Sequence, residues 1–99
     1  MKNVSIFTDY LQELYRISAK IDRATAADAE LVQIQQIQAR IENGYTRGYF
    51  SLEKRQALRR TAEILLDECR EVIRLNAAVK EIEKEIRAER RKEARRRSA

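Results

Sequence analysis

Both glycines of the chain, Gly44 and Gly48, stand four residues apart, and there is no proline anywhere. Outside that short stretch nothing forces the backbone out of a helix. The remainder is rich in Ala, Leu, Ile, Glu, Gln, Lys and Arg, which favour it. Ninety-nine residues bound the chain to one domain. It is 37% charged, yet 43% hydrophobic, and the apolar residues recur at helical spacing, which argues against disorder. The expected fold is all-α: three helices, the last very long and extended as a short coiled coil.

The first helix is expected from about Ser5 to Arg23. Phe7, Tyr10, Leu11, Leu14, Ile17, Ser18 and Ile21 recur at intervals of three and four and form one apolar stripe. In "ATAAD", Thr25 suits an N-cap and Asp28 stands three residues later, as in a capping box. The same segment could also continue as helix, since Ala24 and Ala27 extend the stripe toward Leu31. With the break, a second helix runs from about Ala26 to Asn43. Its face is Ala27, Leu31, Ile34, Ile37 and Ile41, with Gly44 placed to close it in the left-handed conformation.

The third helix is expected to start at an Ser51 N-cap, with Glu53 in its first turn, and to run unbroken to the chain end. Leu58, Ala62, Leu65, Leu66, Cys69 and Val72 make its first stripe. Val72, Leu75, Val79, Ile82 and Ile86 then follow a strict 3-4-3-4 pattern, an a/d seam. Glu68 falls at the preceding d position, so helix three is expected to change partners near Cys69. Asn76 lies beside the seam and could fix its register. A helix over residues 51–97 is about 70 Å long, and helices of eighteen or so residues cover only about 27–30 Å of it. The chain divides accordingly into a bundle over 1–71, an oligomerisation segment over 72–86 and a basic tail over 87–99. A bare apolar strip is rare on monomers, so a second copy or another protein is expected to cover the seam.

Charge is as unevenly placed as the breakers. The net +5 resides entirely in residues 87–99, "RAERRKEARRRSA", with seven basic and two acidic side chains; the rest balances fourteen against fourteen. The tail residues Arg87, Arg90, Arg91, Arg95, Arg96 and Arg97, with Lys84, are the candidate contacts for nucleic acid or for an acidic partner. Helical spacing puts Lys84, Arg87, Arg91 and Arg95 on one face, while Glu85, Glu89 and Glu93 count against phosphate binding. A solvated helix end supported by Glu83–Arg87 and Glu93–Arg97 pairs is the plainer alternative.

"NGYTRGYF" holds three of the six aromatic residues. It reads first as a helix–helix corner. Tyr45, Arg47, Tyr49 and Phe50 also form a candidate loop contact, as a protein hot spot or a stacking platform. "RGYF" echoes an RNA-recognition motif, but that motif lives on a sheet and no strands are expected. The turn is too long for a helix-turn-helix.

Catalysis has little support. There is no histidine, the commonest general base. Cys69 sits on an apolar face with nothing to activate it. Glu63, Asp67 and Glu71 share a helical face but lack a metal-loop spacing. No cofactor or metal is expected. The single cysteine and the lack of a secretory or membrane-spanning run give a cytoplasmic location as the default. The expected function is a non-enzymatic adaptor, regulator or inhibitor that binds a protein partner, as a homodimer. Nucleic-acid association through the tail is the alternative.

Overall fold

The computed structural model describes residues 2–98, with side chains from residue 6 onward; Met1 and Ala99 lie outside the described residues. Three helices make up the chain: α1 (Lys2–Asp22), α2 (Asp28–Thr46) and α3 (Leu52–Ser98). No strand occurs among the described residues. The all-α class and the long third helix are as the sequence implies. The molecule is a rod of 74 × 17 × 16 Å.

The core forms where the three apolar stripes meet. Leu14, Ile17 and Ile21 come from α1, Ile34, Ile37 and Ile41 from α2, and Leu58, Ala62, Leu65 and Cys69 from α3. Each set steps by three or four residues, so one stripe of each helix faces the other two. Phe7, Tyr10, Leu11, Leu66, Val72 and Ile73 pack around this centre half-buried. Arg55 ties α3 to α2, its Nη2 at 2.7 Å and Nε at 2.9 Å from Glu42 Oε2, with its guanidinium 4.8 Å from the Tyr45 ring centre.

Both turns close by the same device. At the end of α1 the Ala24 N–H donates to Ile21 O and the Thr25 N–H to Lys20 O, each at 2.9 Å. At the end of α2 the Gly48 N–H donates to Tyr45 O and the Tyr49 N–H to Gly44 O, again at 2.9 Å. This is the Schellman closure, which needs a left-handed residue at its centre. Gly48 supplies it at φ 78 and Ala24 at φ 58. Glycine adopts this conformation freely, whereas the Cβ of alanine makes it costly.

Three local expectations shift. Thr25 does not cap α2; it belongs to the closure of α1, and its hydroxyl donates to Lys20 O at 3.1 Å. The cap position is Ala27, which has no side-chain acceptor. Glu30 compensates, its Oε2 accepting the Ala27 N–H at 2.9 Å. Ala27 is therefore exposed at the cap, and Ala26 takes the buried place. Gly44 does not close α2 either. It lies inside the helix, where an added Cβ would stand 2.9 Å from Phe50 Cε1. Its value is the close approach it allows the Phe50 ring. Ser51 does cap α3, its Oγ accepting the Lys54 N–H at 3.3 Å.

The two closures give opposite responses to opposite substitutions. Ala24→Gly should raise unfolding free energy by about 0.5–1 kcal/mol, the left-handed strain relieved less the added unfolded-state entropy. Gly48→Ala should lower it by a similar amount. Chemical denaturation of both variants checks this, and a destabilised Ala24→Gly protein would contradict it.

Candidate functional surface

α3 outruns the bundle by half its length. Every residue from Ala77 to Ser98 is exposed, a projection of about 33 Å. The departure point is one turn later than the polar break at Glu68 suggests. Val72 and Ile73 still pack on the core. Asn76 then donates from Nδ2 to Ala24 O at 2.9 Å, which binds the base of the projection to the α1–α2 turn. Asn76 therefore serves the bundle, and the seam is free of it.

On either side of that anchor the aliphatic row stands bare. Leu75 is 47% exposed, Val79 50%, Ile82 54% and Ile86 45%. Of the five seam residues, only Val72 has cover from its own chain. On an ideal helix the four bare side chains occupy a sector of about 60°, centred about 100° around from the face that α1 and α2 cover. The row is thus a separate surface and not the continuation of the core.

The basic tail shares this projection. Lys84, Arg87, Arg90, Arg91, Arg95, Arg96 and Arg97 are all exposed. The ion pairs here are one turn apart, Glu81 with Lys84 at 3.4 Å and Glu89 with Lys92 at 3.7 Å. The expected pairs Glu83–Arg87 and Glu93–Arg97 are not among them. Exposed pairs of this kind contribute little, so the helix end keeps its charge available.

The glycine-flanked corner is mostly packed. Phe50 belongs to the core and meets Tyr10 edge-on, ring centres 6.3 Å apart. Tyr45 and Tyr49 are half-buried against it. Arg47 is exposed, and a hydrogen bond to the Tyr49 side chain favours its charged form. Three of the four corner candidates thus hold the end of the bundle together.

Reactive groups elsewhere are engaged. The Cys69 thiol is fully buried and points at Ala27 O, 3.9 Å away; desolvation, with Glu30 and Asp28 nearby, pushes its pKa up. A thiol so placed is a poor nucleophile. The acidic face of α3 is matched by arginines: Glu63 by Arg59 at 3.5 Å, Asp67 by Arg70 at 4.0 Å, and Glu71 by Arg74. The Arg74 hydrogen bond holds the Glu71 carboxyl below its ordinary range.

The one buried charge among the described residues, Glu30, could not be found by periodicity, because it occupies an apolar-face position. It sits against the α1–α2 turn. The Ala27 N–H and then the Lys20 ammonium, at 3.0 Å from Oε1, hold its pKa below the ordinary value, against desolvation. A depressed carboxylate pKa stabilises the fold above the unfolded value, and that contribution is lost as pH falls through the folded value. Glu30→Gln should cost about 1 kcal/mol at neutral pH. The gap from the parent protein should narrow as pH falls below the ordinary glutamate range. Denaturation series at pH 7 and at pH 3 measure it; an equal gap at both would remove the charge from the account.

No protein-family model, curated protein or solved structure matches this chain. What it does must be read from its own surfaces.

Proposed function

We propose that the chain is a non-enzymatic adaptor or regulator that acts by binding protein through the projecting half of α3, and that it does so as a homodimer. The observation that carries this is the bare row Leu75, Val79, Ile82 and Ile86 on a helix that has left its own bundle. Four aligned aliphatic side chains, each about half exposed, are an unusual surface for a lone chain. Their 3-4 spacing suits packing against a second helix of the same kind. The state of the reactive groups supports the non-enzymatic part: the thiol is buried, and Glu63, Asp67 and Glu71 are matched by arginines.

The strength of pairing can be bounded. Burying a whole aliphatic side chain is worth about 1.5–3 kcal/mol, so covering the remaining half of four on each of two copies yields about 6–12 kcal/mol. Association costs about 4–15 kcal/mol. The two are comparable, so pairing through this row is weak and its extent follows concentration. A weak pair can exchange one copy for a different partner helix, which suits an adaptor. Among the described residues no helix is long and apolar enough to cross a membrane, so the row is not read as part of a span.

Light scattering over a concentration series tests the pairing. The parent chain should shift from monomer toward dimer as concentration rises, and Val79→Asp should remain monomeric throughout with its three-helix bundle still folded. A Val79→Asp protein that dimerises like the parent would sink the row as the interface.

A further inference from the structure

The projecting half of α3 carries a second surface, nearly opposite the first. Lys80, Lys84, Arg87, Arg91 and Arg95 follow one another at intervals of four, three, four and four residues. On a helix these fall within a sector of about 80° and span about 22 Å along the axis. All five are exposed. The glutamates interspersed in the sequence do not share the sector: Glu81, Glu83, Glu85, Glu89 and Glu93 all lie outside it, at about 40° or more from its nearest edge. The objection that acidic residues repel phosphate therefore weakens once they are placed around the helix. Arg87, Arg91 and Arg95 have no carboxylate within 4.0 Å among the described residues, and Lys84 has only its exposed pair with Glu81. Lys80, nearest the bundle, borders a notch with Asp28.

The geometry points to a phosphate-backbone site: this stripe binds duplex DNA without reading its sequence. Three features choose that ligand. The cations lie in a straight row on a continuous helix, which matches the rigid lattice of charge on a duplex and fits a major groove wide enough to admit a helix. α3 contains no aromatic residue, so the base-stacking platform that single strands need is missing from it. The major groove of duplex RNA is too narrow and deep for such a helix. An anionic membrane is disfavoured because the centres of the basic and aliphatic rows stand about 150° apart, so a helix resting on its aliphatic row would lift the cations away from the headgroups. For the same reason pairing through Leu75–Ile86 leaves both stripes open. Pairing is not required for binding, since each stripe is complete within one copy.

The test is fluorescence anisotropy of a labelled 25-base-pair DNA duplex titrated with the full chain at 50 to 200 mM salt. Five phosphate contacts predict that binding weakens about 500-fold across that range. The triple change Arg87→Gln, Arg91→Gln, Arg95→Gln should reduce the salt response to about tenfold. An equal-charge control off the stripe, Arg90→Gln, Arg96→Gln, Arg97→Gln, should keep a response of several hundred-fold. Circular dichroism confirms that both variants stay helical. Val79→Asp should still bind, which separates failure of this site from failure of the dimer. Equal losses in the two triple variants would reduce the site to undirected charge and overturn the proposal. So would tighter binding of single-stranded DNA or duplex RNA of the same length. Displacement of the duplex by phosphatidylserine vesicles or by poly-glutamate at equal charge would overturn it in favour of a membrane or an acidic protein.

Discussion

A helix of 47 residues packed against helices of 21 and 19 residues must leave much of its length uncovered, and the rest of this molecule follows from that mismatch. The bundle can bury one stripe of α3 as far as the α1–α2 turn reaches. Beyond it, every side chain is exposed, whatever its chemistry. The surfaces past that point are therefore defined by the end of the bundle as much as by their own residues. Two polar side chains close the turn at which the bundle ends. Asn76 satisfies the carbonyl of Ala24, the residue held in the left-handed conformation, and Glu30 satisfies a cap that alanine leaves open.

Much of this is legible in the order of the residues. The stripes of α1 and α3 are regular because their helices face the core along most of their buried length, so period alone recovers them. The Ser51 cap and the unbroken run after it are equally local signals. What escaped is instructive. The α1–α2 turn contains no glycine, so its left-handed residue, Ala24, carries no compositional mark. Thr25 and Asp28 imitate a capping box, but the closure of α1 occupies Thr25 and moves the cap two residues on. Gly44 resembles a helix end because glycine usually serves there; its real constraint is the Phe50 ring, which arrives from six residues away through a turn whose geometry the sequence does not state. The handover on α3 lies one turn beyond the break that Glu68 makes in the heptad pattern, because the reach of the bundle depends on where α2 begins.

The candidate surfaces divide the same way. The aliphatic row and the cluster of arginines are plain in the linear order of residues. Their mutual arrangement is not. Read along the chain, the glutamates after Glu81 dilute the positive charge. Placed around the helix they separate from it, and a stripe of cations emerges that lies almost opposite the aliphatic row. The two rows are far enough apart around one helix that the partners proposed for them would not compete.

The projecting half of α3 is also the part of the fold with least to hold it. Helices in proteins draw most of their stability from tertiary packing, which this half lacks, and opening from the free end requires no loss of core contacts. Its i,i+3 pairs and C-terminal arginines supply only small increments. Either kind of partner would change that balance, a second helix by covering Leu75 to Ile86 and a phosphate lattice by relieving repulsion among the arginines. Each ligand would pre-pay part of the ordering that the other needs, so occupation of one row favours occupation of the opposite row with no contact between the two ligands. Such coupling would run through the order of a single helix.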